Sequence, residues 1–367
     1  MGSEMCIRDR VLYLGREVIK EYDLDKIAIG TLGSHSALQI LHGAKKEGFY
    51  TVLITKRDRI HVYREFKHLV DNFIIVDKWS DICKDEVLSE LRALNTILIP
   101  HGSYIEYVGL KCAEALRLPI FGLRSIFRIE ADQKMKMKFL ENAGILTPRN
   151  YHFGEEIDGL VIVKLPGAKG GKGYFLARTR NEVESKIKEL IEKGIIKSAD
   201  DALIQEYVVG TPAYFHYFYS PILDRVELLG MDIRYETNID GLRRLPIQTI
   251  KSIDIVPSFV VIGNIPMVLR ESMLTIVFEY GKKFVEASKK MLPPGIIGPF
   301  CLESIVKDDL SIYVFEFSGR IVAGTNLYLH GSPYSYLYWD EPMSMGRRIA
   351  REIRMAIEQD SINKVVT

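Results

Sequence analysis

Short apolar segments alternate with longer segments of helical periodicity between Lys26 and Gly122, and this alternation limits the folds open to the chain. The apolar segments are KIAIGT, YTVLIT, NFIIVD and NTILIP, with helical segments such as SALQILHGAKKEGF between them. Strands separated by helices of this length need crossover connections, which make neighbouring strands parallel. The pattern predicts a doubly wound parallel sheet, in which ligands bind beyond the carboxyl ends of the strands.

Two of these strand ends carry glycine, serine and histidine directly before a predicted helix. The first strand runs into TLGSHSA, with Ser34 and His35, and the fourth into PHGSY, with His101 and Ser103. Free N–H groups at a helix N-terminus attract an anion. Each serine could instead serve only as a helix cap. Two such turns in one sheet favour a phosphate-bearing ligand, to which the two histidines could donate.

Composition excludes several other classes of function. The chain has 367 residues, of which 47% are hydrophobic and 26% charged, which is enough for two or three packed units. A net charge of +1 gives no electrostatic argument for nucleic-acid or membrane binding. No apolar run approaches the roughly 20 residues of a membrane span. The four cysteines lack metal-ligand or redox spacing, so we expect reduced thiols in a cytoplasmic protein.

The first ten residues, MGSEMCIRDR, contain no apolar segment of the signal-peptide type and look unrelated to the rest of the chain. We interpret residues 1–10 as a non-native or disordered leader and leave them out of the fold argument.

A second unit begins near Ile126, and its most informative segment is KLPGAKGGKGYF, residues 164–175. Strands are predicted on both sides of the glycines, at GLVIVK and YFLA. A P-loop or a dinucleotide-binding turn needs a helix after the glycines, so both are excluded. A glycine-rich hairpin suits a lid over phosphates, because bare backbone can approach closely and lysines supply positive charge. A plain basic hairpin loop is the alternative.

The third unit, from Thr211 onward, is rich in predicted strands and contains two notable glutamates. Glu303 lies in FCLESIV and Glu316 in YVFEFSG, with a turn at KDDLS between them. If the hairpin centres between Asp309 and Leu310, the two side chains lie opposite each other, with Cβ atoms about 5 Å apart. Apolar flanks predict burial, and two buried like charges need a cation or a shared proton. Mg²⁺ bridging ATP phosphates answers this need; a solvated strand face is the alternative.

Two further residues fit a nucleotide site. Arg320 follows Glu316 by four positions, and its planar guanidinium suits the oxygens of a transferring phosphoryl group. Glu206 precedes Tyr207 in QEYVVG, where a carboxylate and the backbone up to Val209 could hold an adenine amino group. A surface glutamate on a strand is the alternative reading of Glu206.

These elements, in this order, resemble the ATP-grasp superfamily. Its pattern is an N-terminal α/β domain, a helix lysine, a strand lysine, a glycine-rich lid, a hinge and a glutamate pair, here ending in EFSGR with Ser318 in the usual Asn position. The segments TLGSHSALQILHGAKKEGF, VIVKLPGAKGGKGYF, GMDIRYETNIDG, VIGNIPMVLRES and GRIVAGTN resemble the archaeal formate-dependent FAICAR synthetase family more specifically. The resemblance covers nearly all of the chain from Lys26 to the end.

The resemblance implies an α/β protein with the ATP-grasp fold in three parts. These are an N-terminal doubly wound parallel-sheet domain at residues 11–125, a small lid subdomain at 126–210 and an α+β catalytic subdomain at 211–367. It also implies a carbon–nitrogen ligase that converts AICAR (5-aminoimidazole-4-carboxamide ribonucleotide) to its formylated product FAICAR in IMP biosynthesis. Formate and ATP would be consumed through formyl phosphate, with release of ADP and phosphate.

The family's functional residues carry over to matching positions. They are, for AICAR, His35, Ser103 and Asn264; for ATP, Lys138, Lys164, Gly170, Gly171, Lys172, Gly173, Glu206, Tyr207, Val209 and Glu236; for the metal, Glu303 and Glu316; and for the transfer step, Arg320 and Lys164. The resemblance further implies Mg²⁺ or Mn²⁺ as the metal, and a homo-oligomer, with a hexamer as one candidate.

The segment IFRIEADQ departs from the family pattern, since Ile129 stands in place of a Trp and Gln133 in place of an Arg. Two alternatives therefore stay open: an ATP-grasp carboxylate–amine ligase with another substrate, and a nucleotide-binding regulator without turnover. Retention of Lys164, Glu316 and Arg320 argues against the regulator.

Overall fold

The structure is a computed structural model that describes residues 14–169, 172–252 and 258–367. The leader at residues 1–10 lies outside the described residues. Three sheets organise the described chain: a four-stranded parallel sheet, a four-stranded antiparallel sheet and a five-stranded antiparallel sheet. We call them the first sheet, the lid sheet and the catalytic sheet.

The first sheet has the strand order β3-β2-β1-β4, with all neighbours parallel, which confirms the doubly wound prediction. Its strands are β1 (Ala28–Leu32), β2 (Tyr50–Lys56), β3 (Asn72–Val76) and β4 (Thr96–Leu98). Its helices are α1 (Ala37–Lys46), α2 (Ile60–Arg64), α3 (Asp85–Ala93), α4 (Tyr104–Val108) and α5 (Leu110–Ala115). The segment YIEYVGLKCAEAL, which follows the fourth apolar segment, has the periodicity of one helix, but the structure divides it at Gly109. The φ of Gly109 is 83°, which lies outside the helical region.

The lid sheet follows the order β5-β8-β6-β7. Its strands are β5 (Asn150–Tyr151), β6 (Val161–Lys169), β7 (Lys172–Ala177) and β8 (Leu203–Glu206). The associated helices are α6 (Ile126–Glu130), α7 (Gln133–Asn142) and α8 (Arg180–Glu192). β6 and β7 pair antiparallel on both sides of the glycine-rich segment, so the predicted hairpin is confirmed.

The catalytic sheet follows the order β11-β10-β9-β12-β13. Its strands are β9 (Thr211–Ser220), β10 (Arg225–Glu236), β11 (Val261–Pro266), β12 (Gly298–Val306) and β13 (Ile312–Ser318). The helices of this part are α9 (Ile239–Leu242), α10 (Ile247–Ser252), α11 (Glu271–Met291), α12 (Pro333–Trp339) and α13 (Met345–Glu358). The long helix α11 buries Phe284 against aromatic side chains of β12 and β13.

The C-terminal segment returns to the first sheet. A Cβ atom at Gly43 of α1 would lie 2.1 Å from the Arg347 nitrogen of α13, so the two helix backbones are in direct contact. The chain end adds a backbone pair, in which Ile120 N donates to Thr367 O at 3.0 Å and Thr367 N donates to Ile120 O at 2.9 Å. An isolated bridge also joins His101 to Ile321, just beyond β13. The carboxyl ends of β1 and β4 therefore lie beside the end of β13.

The cysteine expectation is wrong for one pair. Cys83 and Cys112 form a disulfide with a Cα–Cα distance of 6.3 Å. Their separation of 29 residues forms no motif, and only the packing of the segment after β3 beside α4 and α5 brings them together. Cys301 is free and buried. Across the described residues, no helix is both long and apolar enough to cross a membrane.

Candidate active site

A cavity of about 520 Å³ lies between the lid sheet and the catalytic sheet. Its walls come from both sheets and from α9, which begins just after β10. The predicted site residues that line it are Lys164, Glu206, Tyr207, Val209, Glu236 and Glu316. The cavity therefore joins the predicted hinge, the strand lysine and one of the two predicted metal ligands.

One face of the catalytic sheet carries most of the polar side chains of the site. Glu303 pairs with Glu316 on one side and with Tyr214 on the other, and Arg234 pairs with Asn264. Paired residues share a face of a sheet, and residues two apart on a strand share it too. Arg234 was not predicted from the sequence, although the alternation of charged residues in GMDIRYE was a signal that could have identified it.

The predicted pairing of Glu303 with Glu316 is confirmed, although the hairpin reaches it differently. Near the turn, the two strands pair symmetrically about Asp309, with Val306 opposite Ile312 and Ser304 opposite Val314. Beyond Ser304 the register shifts by one residue. Phe315 is the extra residue, which makes a β-bulge. Without this bulge the carboxylates would be out of register.

Each glutamate has its own protein cation. Arg234 Nη2 lies 2.6 Å from Glu303 Oε1, and Lys136 Nζ forms an ion pair with Glu316. The Arg234 guanidinium also lies 4.2 Å from the Tyr214 ring centre. Glu303 Oε2 is buried and has no hydrogen-bond partner among the described residues. The charge that the sequence assigned to a metal is thus balanced by side chains in this state.

The pKa values result from burial and these partners. Burial raises the pKa of Glu316, but the charges of Lys136 and Lys164 outweigh it and lower the pKa to about 2. Burial lowers the pKa of Lys164 to about 8, although Glu316 opposes the shift. Lys164 Nζ donates to Gln205 Oε1 at 3.0 Å. Burial also raises the pKa of Glu236 to about 7, against the opposing charge of Arg234.

The structure places two lysines of α7 on different sides of the helix. Lys138, expected to bind ATP, lies on the exposed side of α7 and does not line the cavity. Lys136 is buried and contacts Glu316 instead. Residues two positions apart on a helix are rotated by about 200° about its axis and so lie on nearly opposite sides. Only one of the two lysines can therefore face β13.

The other residues predicted to bind ATP belong to the lid and the hinge. Gly170 and Gly171 lie outside the described residues. Lys172 begins β7, and Gly173 has a φ of 80°, a conformation that favours glycine. At the hinge, Glu206 Oε2 accepts a hydrogen bond from Arg149 N at 3.2 Å.

The two histidine turns meet at the carboxyl ends of β1 and β4. The rings of His35 and His101 stack with centres 5.4 Å apart. Burial lowers the pKa of His101 to about 4. Desolvation by the surrounding protein, with His101 and two nearby arginines, also lowers the pKa of His35, although this residue is exposed. Both rings are therefore neutral at pH 7. A Cβ atom at Gly102 would lie 2.1 Å from His35 Nε2, so the turn requires glycine there.

His101 cannot donate to a ligand in this form. Its Nε2 lies 3.0 Å from Leu32 O, which only accepts, so Nε2 carries the proton. Its Nδ1 accepts from Ser103 N at 3.2 Å. The expectation that both histidines donate to an anion is therefore wrong for His101 and stays a prediction for His35.

An arginine with aromatic neighbours lies at the same edge and was not predicted from the sequence. Arg59 Nη1 donates to Ser34 Oγ at 3.1 Å and to Tyr107 Oη at 3.3 Å. The guanidinium lies 5.6 Å from the Trp79 ring centre, and Trp79 stacks on Tyr107. The segment RDR directly after β2 was the available signal.

The capping alternative for the two serines is not observed. Ser34 bonds Tyr107 and Arg59 rather than a helix N-terminus. Ser103 occupies the N-cap position of α4, but its side chain makes no cap hydrogen bond with the described residues.

The histidine turns and the catalytic sheet converge on two arginines. The positive charges of Arg320 and Arg234 both contribute to the lowered pKa of His35, after burial and His101, so both lie near it. Arg320 forms an ion pair with Glu130 of α6 and does not line the cavity. The structure therefore places Arg320 beside the histidine turns rather than in the cavity.

The other substrate residue and the two departures complete the site. Asn264 Nδ2 donates to Asp232 Oδ2 at 2.7 Å. Ile129 is buried in the core, whereas Gln133 lines the cavity. Gln133 Oε1 is buried without a hydrogen-bond partner among the described residues. Of the two departures, only Gln133 contacts the cavity.

Comparison with known proteins identifies the family of the chain. One family profile, described as a domain of unknown function (DUF1297), matches residues 182–367, and another, described as a protein of unknown function (DUF1246), matches residues 29–151. The chain is 56% identical over 350 residues to the 5-formaminoimidazole-4-carboxamide-1-(beta)-D-ribofuranosyl 5'-monophosphate synthetase of Ignicoccus hospitalis, covering 95% of this chain and 99% of the relative. The chain belongs to this FAICAR synthetase family.

Solved structures extend the FAICAR synthetase comparison to the fold. The IMP biosynthesis protein PurP from Thermococcus kodakaraensis has 34% sequence identity and a TM-score of 0.73, covering 92% of this chain and 100% of that chain. The biotin carboxylase–β-γ-ATP complex from Campylobacter jejuni has 13% identity and a TM-score of 0.61, covering 92% and 73%. The second likeness concerns the fold alone. The predicted ATP-grasp fold is confirmed.

Proposed function

We propose that the protein is an ATP- and formate-dependent ligase that converts AICAR to FAICAR and releases ADP and phosphate. The observation that carries this proposal is the pairing of Glu303 with Glu316 beside a cavity bounded by the lid sheet, in a chain of the FAICAR synthetase family. Two opposed carboxylates next to a buried lysine suit phosphoryl transfer, which relies mainly on positioning and charge stabilisation.

ATP is the proposed occupant of the cavity. Lys164 contacts phosphate oxygens, and the glycine-rich hairpin folds over them. Glu206, Tyr207 and Val209 bound the end of the cavity nearest the hinge and hold the adenine. A volume of about 520 Å³ lies within the usual range for a small-molecule site.

Glu303 and Glu316 are the proposed ligands of Mg²⁺ or Mn²⁺. Glu303 Oε2 lacks a hydrogen-bond partner among the described residues, so this oxygen is free to coordinate a metal. The described residues contain no group of three or more His, Cys, Asp or Glu side chains placed to hold a metal. This fits Mg²⁺, which takes one or two carboxylates and completes its shell with phosphate oxygens and water. When bound, the metal neutralises charge on the transferring phosphate.

AICAR is proposed to lie between the histidine turns and the catalytic sheet. His35, Ser103 and Asn264 contact the nucleotide. Arg59 carries a positive charge at the edge where Ser34 and Ser103 lie, and it receives the 5′-phosphate through its planar guanidinium. AICAR and ATP would therefore enter from opposite sides of the end of β13.

The proposed reaction has two steps. A formate oxygen attacks the γ-phosphorus of ATP, the bond to the β-phosphate oxygen breaks, and formyl phosphate and ADP form. The 5-amino group of AICAR then attacks the formyl carbon, loses a proton, and phosphate leaves. Arg234 and Arg320 stabilise negative charge in the two steps. The lid excludes water, which would otherwise hydrolyse the mixed anhydride.

A ligase that uses another carboxylic acid is the second candidate, favoured by Gln133. A neutral amide lines the cavity where the family carries a cation, and this changes the charge offered to the acid. Acetate and other short carboxylates, tested beside formate, distinguish the two candidates.

The deciding experiment incubates the protein with AICAR, Mg·ATP and isotopically labelled formate. We expect labelled FAICAR, with one ADP and one phosphate formed for each FAICAR. ADP release that needs AICAR but not formate, or labelled product only from another acid, would contradict the assignment. On the basis of the family resemblance, we also propose that the protein is a cytoplasmic homo-oligomer. Light scattering would measure its oligomeric state.

A further inference from the structure

Three neighbouring strands of the catalytic sheet carry a buried chain of hydrogen bonds. His216 Nε2 of β9 lies 2.6 Å from Asp232 Oδ1 of β10, and Asn264 Nδ2 of β11 lies 2.7 Å from Asp232 Oδ2. His216 and Asp232 are each 1% exposed. Asn264, at the end of this chain, is only partly buried and is the residue that the proposed function places on AICAR.

The charge state of Asp232 depends on its neighbours. Burial raises its pKa, but hydrogen bonds with His216 and Asn264, together with the charge of Arg234, lower the pKa on balance. An ionised carboxylate only accepts hydrogen bonds. His216 Nε2 therefore carries a hydrogen and donates a hydrogen bond to Asp232 Oδ1.

Gly324 fixes the pair in place. A Cβ atom at this position would lie 2.1 Å from Asp232 Oδ1 and 2.7 Å from His216 Nε2. The backbone at Gly324 thus packs directly on the two side chains.

The orientation of the Asn264 amide is a consequence of this arrangement. Because Asp232 only accepts, the Asn264 atom that faces it has to be Nδ2. The remaining group, Oδ1, is then the one available to a ligand, and it is an acceptor. The site therefore presents a neutral oxygen, backed by the negative charge of Asp232.

We propose that His216 and Asp232 are positioning residues that fix the Asn264 amide, so that Asn264 Oδ1 accepts an N–H hydrogen bond from the 4-carboxamide of the substrate. The inference rests on the proposed function. A ribonucleotide with a 4-carboxylate has no donor there and brings a negative charge towards Asn264 Oδ1 and Asp232. A site built to accept a substrate N–H rejects an analogue that lacks it, because its own polar group is left unpaired.

The test measures the dissociation constants of AICAR and of the matching 4-carboxylate ribonucleotide by calorimetry. We expect the wild type to prefer AICAR by about 100-fold. In Asp232→Asn, the side chain at position 232 can either donate or accept a hydrogen bond. The Asn264 amide can then flip, and we expect the preference for AICAR over the 4-carboxylate to fall at least tenfold. Asn264→Ala removes the acceptor from a partly exposed position, and the preference falls to within about threefold of unity.

Paired variants separate positioning from folding. His216→Gln keeps an N–H donor for Asp232 and should retain the preference, whereas His216→Leu should lose it. Ser304→Ala, a buried change on β12, serves as the control and should leave the preference unchanged. Melting temperature and ATP affinity report whether each variant is folded.

A folded Asp232→Asn that keeps the wild-type preference overturns the inference. If Asp232→Asn does not fold, the result for Asn264→Ala decides. An unchanged preference for AICAR in Asn264→Ala overturns the inference, and loss of that preference supports it. A wild type that makes FAICAR but shows no preference for AICAR overturns this inference alone. A wild type that binds no AICAR removes the proposed function and this inference with it.

Discussion

The two sides of the site balance charge in opposite ways. On the nucleotide side, Glu303 forms an ion pair with Arg234, and Glu316 forms one with Lys136. On the substrate side, His101 is buried and neutral, whereas His35 is exposed and has a lowered pKa. If Mg·ATP binds as proposed, it exchanges partners with existing ion pairs, whereas the substrate meets neutral hydrogen-bonding groups and the charges of Arg59 and Arg320. We expect variants on the nucleotide side to change ATP binding and turnover, and variants on the substrate side to change the KM for AICAR.

The largest effect is expected for Glu316→Gln. Loss of a metal ligand should lower turnover by about a thousandfold or more, because charge on the transferring phosphate is no longer neutralised. Glu303→Gln should be milder, since Glu316 lines the cavity and Glu303 does not. Product formation from labelled formate measures both.

Stability provides a second measure of Glu316→Gln. The opposition of two glutamates by itself would suggest that removing one relieves repulsion. The ion pair with Lys136 reverses this expectation, because the change leaves a buried ammonium without its partner. We expect the ligand-free variant to lose about 1–2 kcal/mol of unfolding free energy and to gain little from Mg·ATP. If Mg·ATP raises its melting temperature as much as that of the wild type, Glu316 is not a metal ligand.

Lys164→Ala should weaken ATP binding by about 10- to 100-fold, because a charge-assisted contact contributes roughly 1.5–3 kcal/mol. Calorimetry with ATP measures the effect. Lys138→Ala is the matched control, because Lys138 lies on the exposed side of α7 and should bind ATP as the wild type does. Equal losses in the two variants would contradict the placement of the cleft.

On the substrate side, Arg59→Met should raise the KM for AICAR by about tenfold and leave the KM for ATP nearly unchanged. His35→Ala should act in the same direction. Arg57→Met is the control in the same loop, since Arg57 is exposed. Equal changes in both KM values would mean that Arg59 and His35 support the fold instead of binding substrate.

The smallest effect concerns pH. Burial raises the pKa of Glu236 from 4.5 to about 7, so the folded state binds this proton more tightly than the unfolded state. This contribution favours the fold below about pH 4.5 and is lost as pH rises to about 7. Glu236→Gln should remove a decline in ligand-free stability of the order of 1 kcal/mol over that range, measured by urea unfolding. An unchanged pH profile would show that Glu236 does not titrate there.

Much of the fold could be predicted because it depends on local periodicity. Alternating apolar and helical segments predicted the parallel first sheet, and the missing helix after the glycines predicted the lid hairpin. The break at Gly109 and the bulge at Phe315 were not predicted, because the helical and strand periodicities used for the prediction continue on both sides of them.

The site shows the same limit residue by residue. The pattern QKMKMKF indicates a helix, but either Lys136 or Lys138 could have faced the cleft. The turn PHGSY places a histidine at a strand end, but only the contact with Leu32 O shows that His101 has no proton left to donate. Cys83 and Cys112 carry no motif at all.

By itself, the sequence determined the strands, most of the helices and the lid hairpin, because side-chain alternation and turn chemistry act over a few residues. The opposition of Glu303 to Glu316 was predicted for a different turn centre, and the bulge at Phe315 produces it in the structure. Only the tertiary structure decided which cation meets each carboxylate, which histidine nitrogen carries a proton and how the Asn264 amide is turned. These depend on contacts between distant residues, such as Lys136 and Glu316, 180 positions apart. Burial at such contacts sets the charge states, and no local pattern encodes burial of that kind.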